Sequence, residues 1–299
     1  MPTNLQSTAT ATTSLTATLS DFYELTKPSI VWLIVMSTLM GFYLATSGPI
    51  PYALLLHTII ATSLLAGGTG ALNQWWERDA DARMKRTIER PLPTGRIQPA
   101  TALVFSIGLS IAGLVYLFVA TNALSFWLGV FVVLAYNLVY TPLKSQTWWS
   151  TFIGAFPGAV PPLLGWTAVR NELSIEGLVL FGVLFLWQFP HFYAIAWMYR
   201  EDYESAGIQM LPVVEPDGAS TGRQIVAYAL ALIPVSMAPA WIGLTSVWFA
   251  IPAFILSAGY LYCGILAARQ KTGTQARTLL RASVLYLPLL YLFLLIFKS

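Results

Sequence analysis

Residues 52–98 read YALLLHTIIATSLLAGGTGALNQWWERDADARMKRTIERPLPTGRIQ. The first part, residues 52–76, contains no Asp, Glu, Lys or Arg. It is longer than the ~20 apolar residues that a helix needs to cross a bilayer. It also lacks the alternation of a barrel strand, so it reads as a membrane-spanning helix. Charge arrives abruptly at its end, with Glu77, Arg78, Asp79 and Asp81, followed by Arg83, Lys85, Arg86, Arg90 and Arg96. If the helix continues through the charges, Asn73, Glu77 and Asp81 fall at i, i+4 and i+8 on one face, with Asp79 turned away. That face presents an amide oxygen and two carboxylates, hard donors suited to Mg²⁺, which takes one or two carboxylates together with substrate phosphate oxygens. Cations for phosphate lie just beyond them. The alternative at this stage is an interfacial helix end whose charges pair among themselves. Arg90-Pro91-Leu92-Pro93-Thr94-Gly95-Arg96 reads as a rigid turn into the next span.

The rest of the chain agrees with the opening run. It has 299 residues, 57% of them hydrophobic and 10% charged, against about 25% charged in an average soluble protein. Mean hydropathy is +0.66. A water-soluble enzyme, a disordered chain and a nucleic-acid binder are all excluded by these values. The single cysteine, Cys263, allows neither an intrachain disulfide nor a thiolate cluster. Residues 1–20 hold no Lys or Arg and no apolar core. They are expected to be a mobile tail rather than a targeting segment, ahead of a single membrane domain over 21–299.

Nine apolar runs appear, at roughly 28–46, 52–76, 99–120, 124–140, 151–169, 176–199, 224–243, 247–267 and 279–297. The expected architecture is therefore all-α, a nine-helix membrane bundle. With nine spans, 14 of the 16 Lys and Arg residues share one side, and only Arg170 and Lys298 lie on the other. The positive-inside rule makes the rich side cytoplasmic, with the N-terminus inside and the C-terminus outside. Eleven of the 13 acidic residues fall on the same side. Loop length explains part of that bias.

A second polar cluster ends the sixth span, in Tyr199-Arg200-Glu201-Asp202-Tyr203-Glu204. Four spans after the first cluster, it has the same direction and the same membrane face, a hint of internal duplication. Asp202 is the candidate second metal or diphosphate ligand. Tyr199 and Tyr203, four apart, share an edge with it; an interfacial aromatic belt is the bland reading. His191 lies within the inner part of the sixth span, and an intramembrane His is a functional candidate by default. His57 is nearer the outer half of the second span and reads as structural. Pro157, Pro161 and Pro162, with Gly154, Gly158 and Gly165, are expected to loosen the fifth span around a cavity. Gly67, Gly68 and Gly70 are expected to allow close helix approach.

The pattern Asn73-x-x-x-Glu77-x-x-x-Asp81 resembles the first motif of the UbiA-type intramembrane prenyltransferases, Asn-x-x-x-Asp-x-x-x-Asp. Residues 73–97, YNLVYTPLKSQT (136–147), GAVPPLLGW (158–166) and 190–214 extend the likeness. Glu77 and the Tyr-rich second motif resemble the heme-modifying branch of that family. At the second motif, Tyr199 and Tyr203 stand where quinone-pathway members carry an Asp pair, which argues against a hydroxybenzoate or naphthoate acceptor. The resemblance implies a UbiA-like bundle whose cavity opens to the cytoplasm, in a bacterial inner membrane. It implies Mg²⁺-dependent transfer of a farnesyl group from farnesyl diphosphate to a vinyl group of heme B, giving heme O for heme-copper oxidases. A downstream heme O oxygenase is a partner it would allow, beside membrane lipid. Carried over to this chain, it assigns Asn73, Glu77, Asp81 and Asp202 to Mg²⁺-diphosphate. Lys85, Arg86, Arg90 and Lys144 become diphosphate cations, Tyr140, Tyr199 and Tyr203 substrate contacts, and His191 a heme contact. Prenylation of a quinone precursor or chlorophyllide, secondary transport and a non-catalytic assembly role remain as rivals at this level.

Overall fold

The computed structural model describes residues 15–299, and side chains from residue 19 onward. The expected N-terminal tail therefore lies largely outside the described residues. Its last part does not: residues 15–20 open a short helix, Leu15–Leu25.

Among the described residues, nine helices are long and apolar enough to cross a membrane. In order they are Pro28–Ala45, Tyr52–Asp81, Pro99–Ala120, Ala123–Leu143, Ser150–Arg170, Ile175–Met198, Ala219–Trp241, Val247–Gln270 and Gly273–Ile296. They are numbered here as spans 1 to 9. Each coincides with one of the expected runs. The largest extensions are at charged ends: span 2 runs through the acidic cluster to Asp81, span 7 begins before Arg223, and span 9 begins before Arg277 and Arg281. A helix whose first turns stand clear of lipid can carry charge without desolvating it, so hydropathy marks the lipid-facing part and understates the helix.

Consecutive spans pack side by side, span 6 also meets span 9, and span 1 lies against span 5. Span 5 is the most enclosed, with most of its side chains buried. It is one continuous helix despite Pro157, Pro161 and Pro162, so the expected loosening does not occur. Its glycines serve close contact instead. A Cβ on Gly165 would stand 1.9 Å from the Thr38 carbonyl oxygen, and one on Gly41 1.8 Å from that of Pro162. Spans 1 and 5 therefore cross with their backbones touching, and the surrounding helices hold the proline-bearing segment in line. Gly68 does the same for spans 2 and 3, where a Cβ would lie 2.5 Å from the Ser110 amide nitrogen.

Several hydroxyls that share the interior with apolar side chains pair across helices, which lowers the cost of burying them. Tyr286 bonds to both Ser236 (2.5 Å) and Ser257 (3.0 Å), and Tyr291 donates to Ser37 at 3.0 Å. His57 meets the Tyr116 hydroxyl at 2.9 Å, joining spans 2 and 3 in the structural role expected of it.

The two ends of the bundle differ. At one end, the N-terminal helix and the segments after spans 2, 4 and 6 lie together. Arg96 bonds to Asp21 and Glu24; the Gln209 amide donates to the Lys144 carbonyl (2.7 Å); and Ser205 donates to the Arg83 carbonyl (3.0 Å). The other end holds the two exceptional cations. Lys298 donates to the Tyr43 and Thr46 carbonyls, and Arg170 donates to Ser47.

Candidate active site

The site forms where span 2 emerges from the bundle. Its helix continues to Asp81, so Asn73, Glu77 and Asp81 do lie along one face. Each meets a cation from a different part of the chain. Lys27 Nζ donates to Asn73 Oδ1 at 2.5 Å. Lys144 Nζ pairs with Glu77 Oε1 at 2.6 Å. Arg90 Nη1 reaches both oxygens of Asp81, at 2.8 and 2.7 Å. Asp81 is 1% exposed, and the Glu77 and Lys144 side chains are 12% and 17% exposed.

The local sequence explains how the cations arrive. The N-terminal helix ends at Leu25, and Gln74 Nε2 donates to the Glu24 and Leu25 carbonyls, pinning that end to span 2. Gly70 leaves room for the turn, since a Cβ there would stand 3.3 Å from the Thr26 carbonyl oxygen. Lys27 then adopts a left-handed backbone, and Pro28 starts span 1. Arg90 is turned back toward the helix end by the loop that follows Asp81, where Thr87 Oγ1 donates to the Asp81 carbonyl at 2.9 Å. Lys144 follows span 4, which contains a π-helical turn over Ala135–Tyr140. Such turns are rare and often mark functional positions. This one places Tyr136 and Tyr140 with ring centroids 5.0 Å apart, and the Lys144 ammonium lies 4.6 Å from the Tyr140 ring centroid. Gly154 of span 5 makes space for that ring, because a Cβ would sit 2.5 Å from it.

Crowded charge shapes the proton equilibria. Burial, then the charge of Arg90, pulls the Lys27 ammonium down to about 7, partly offset by Glu77. Burial also acts to lower Lys144, but the Glu77 carboxylate outweighs it and holds its pKa well above the usual lysine value.

The second motif joins the first through Arg86. Span 6 breaks at Tyr199, and a short helix, Arg200–Ser205, follows. Asp202 Oδ2 accepts the Arg86 backbone N–H at 3.2 Å. The Arg86 guanidinium lies 4.7 Å from the Tyr199 ring centroid and 5.4 Å from that of Tyr203, and donates to the Tyr203 hydroxyl at 3.1 Å. The expected shared edge of Tyr199 and Tyr203 is thus present, with an arginine laid along it. Lys85 is exposed beside it. His191 is bound elsewhere: its Nδ1 meets Ser283 Oγ of span 9 at 2.7 Å, and its ring stacks on Trp187.

Among the described residues, no three His, Cys, Asp or Glu side chains converge as a metal-binding group. What Asn73 and Glu77 hold instead are ammonium groups at 2.5 and 2.6 Å. Hard oxygens that draw two cations so closely have the chemistry of a cation site, and Mg²⁺ asks no more than this of protein when a diphosphate supplies further oxygens. Lys27, Thr141 and Tyr136 were not among the sequence candidates. Lys27-Pro28 at the mouth of span 1 was the readable trace of the first. The other two lie in the stretch 136–147 that carried part of the family likeness, although nothing there marked the π-turn that delivers them.

The chain belongs to the UbiA prenyltransferase family, whose model matches residues 34–294. It is thereby an integral membrane enzyme that transfers prenyl groups. Among its relatives is the protoheme IX farnesyltransferase of Solibacter usitatus, 52% identical over 280 residues that cover 91% of this chain and 96% of that protein. The protoheme IX farnesyltransferase of Koribacter versatilis is 44% identical over 283 residues, covering 91% of each. The fold is also that of digeranylgeranylglyceryl phosphate synthase (TM-score 0.78, 18% identity, 93% of this chain and 98% of that one). It matches as well a UbiA homolog from Archaeoglobus fulgidus bound to GPP and Mg²⁺ (TM-score 0.69, 14% identity, 92% and 99%). Family membership removes the transporter and assembly-factor alternatives.

Proposed function

We propose that this chain transfers the farnesyl group of farnesyl diphosphate to a vinyl group of heme B, producing heme O, with Mg²⁺ at the diphosphate. One observation carries the reading: Lys27, Lys144 and Arg90 converge on the Asn73–Glu77–Asp81 face at one end of the bundle, a place where a polar headgroup can sit while its isoprenoid tail stays in the apolar interior. The names of the full-length relatives support the acceptor. The positive-inside rule supports a cytoplasmic opening in the inner membrane, with residues 21–299 acting as one domain.

Asn73 and Glu77 would hold Mg²⁺ together with substrate oxygens, and the ion would neutralise charge on the leaving diphosphate. Asp81 and Asp202 would join only by releasing Arg90 and the Arg86 amide. The three cations turn from the protein oxygens to the phosphates, and Arg86 and Lys85 extend the positive rim. The C1–O bond breaks with its electron pair on the diphosphate. The faces of Tyr136 and Tyr140 sit beside the Lys144 end of the site and favour the allylic cation. The heme vinyl π-electrons form the new bond to C1, and water captures the second cation as an alcohol with loss of a proton. His191, its Nδ1 engaged by Ser283, has Nε2 to offer the heme.

The test is a conversion assay with purified protein, heme B, farnesyl diphosphate and Mg²⁺, the extracted hemes being identified by mass. Heme O formed by the wild type, and lost with EDTA and in Glu77→Gln and Asp202→Asn, is the expected result. Prenylation of an added quinone precursor without any heme product would overturn the acceptor.

A further inference from the structure

We infer that Thr141 is a positioning residue that fixes which way the Asn73 amide faces, so that its oxygen is presented to the cation and diphosphate. The inference rests on the reading of this site given above.

A threonine hydroxyl has one proton to give and lone pairs to accept with. The proton of Thr141 is committed. Its Oγ1 donates to the Tyr136 carbonyl at 2.8 Å, five residues back, and its backbone N–H goes to the same carbonyl, closing the π-turn. Toward Asn73 the hydroxyl can therefore only accept, and Asn73 Nδ2 donates to it at 3.0 Å. The amide nitrogen thus faces Thr141, and Oδ1 faces the opposite way, where Lys27 Nζ stands at 2.5 Å. A reversed amide would set its oxygen against a hydroxyl whose proton is already in use and leave that buried oxygen without a donor there. Asn73 is 1% exposed and Thr141 5%, so water has no room to replace either partner.

The two neighbours are not equivalent during turnover. Lys27 is a flexible cation that a diphosphate would draw away. Thr141 is held by the backbone of span 4 and stays. It alone keeps Oδ1 forward when Lys27 leaves, so the donor needs no reorientation as the cation arrives. Partners behind a metal ligand commonly change metal affinity by about 10- to 100-fold.

The test titrates Mn²⁺, a paramagnetic stand-in for Mg²⁺, into the purified full-length protein with farnesyl thiodiphosphate, and follows bound ion by electron paramagnetic resonance. Thr141→Val keeps the shape and removes the hydroxyl; it should raise the half-saturating Mn²⁺ concentration by about tenfold or more. Thr141→Ser should restore wild-type binding to within about threefold, and adding Thr141→Val to Asn73→Ala should cause little further loss, because Thr141 acts only through that amide. Thermal unfolding identifies the variants that are folded; should Thr141→Val fail, Thr141→Ala is read the same way. Unchanged Mn²⁺ binding in the folded hydroxyl-free variant overturns the inference, as does a serine variant that loses as much as valine. Wild-type protein that binds Mn²⁺ in this order yet leaves heme unmodified would overturn the acceptor and support the role of Thr141. Wild-type protein that binds no Mn²⁺ beside the analogue would overturn both.

Discussion

Replacing Arg90 by Met should unfold this protein more readily, by an amount set by Asp81. The Asp81 carboxylate is 1% exposed and has both oxygens within 2.8 Å of one Arg90 nitrogen. Removing one partner of a buried pair leaves an uncompensated charge, at a cost of about 3–5 kcal/mol. Larger domains shift by roughly 2–4 °C per kcal/mol, so ~3 kcal/mol corresponds to a fall of about 6–12 °C in apparent Tm. Asp81→Asn alone should fall less, because the Arg90 side chain is 27% exposed and can turn to water. The double variant Asp81→Asn/Arg90→Met should recover most of the loss, since neutral replacements of a buried pair are often tolerated. The assay is thermal unfolding of the four proteins in one detergent, with and without EDTA. An Arg90→Met protein within ~2 °C of wild type, or a double variant no better than Arg90→Met, would refute the reasoning. EDTA alone should leave Tm unchanged in substrate-free protein, because Asp81 already has a protein partner; a large EDTA effect would place a resident metal there instead.

Further outcomes follow from other contacts. Lys144→Met should lower farnesyl transfer by about 10²–10³-fold in kcat, the range for loss of a charge-stabilising donor, and Glu77→Gln added to it should lower transfer further, because Glu77 would hold Mg²⁺ in its own right; steady-state kinetics of the three variants decide this. Gly154→Ala puts a Cβ 2.5 Å from the Tyr140 ring and displaces that ring from Lys144; transfer should fall with at most ~1–3 kcal/mol of destabilisation, read from kcat beside Tm. Gly165→Ala meets backbone rather than a movable side chain, 1.9 Å from the Thr38 oxygen, and should yield little monodisperse protein by size-exclusion chromatography. Arg86→Met removes the contact shared by Tyr199 and Tyr203 and should raise KM for farnesyl diphosphate more than it lowers kcat.

Much of the fold was legible because lipid imposes a simple rule. A chain that crosses hydrocarbon must bond its own backbone, so long apolar runs become helices, and the positions of Lys and Arg mark their ends. The i, i+4, i+8 spacing of Asn73, Glu77 and Asp81 was equally readable, since it depends only on helical pitch. The reading of span 5 failed for a matching reason. Local rules make Pro157, Pro161 and Pro162 helix breakers, whereas here the backbone of span 1 lies against Pro162 and Gly165 and keeps the helix whole. His191 could be singled out as intramembrane, but its partner Ser283 is 92 residues away, and no pattern in the chain announces that pairing.

What the sequence determined by itself was the solvent of each segment, the helical face of the first motif and, through resemblance, the family. Which charge meets which was decided only in three dimensions. Lys27 reaches Asn73 from 46 residues away and Lys144 reaches Glu77 from 67; in sequence Lys144 stood out only through resemblance, and nothing named the partner of either cation. Hydropathy and pitch are properties of neighbouring residues. An ion pair, a hydroxyl that can only accept, or a glycine that must stay bare depends on which backbones the packing brings within 3 Å, and only the assembled bundle contains that information.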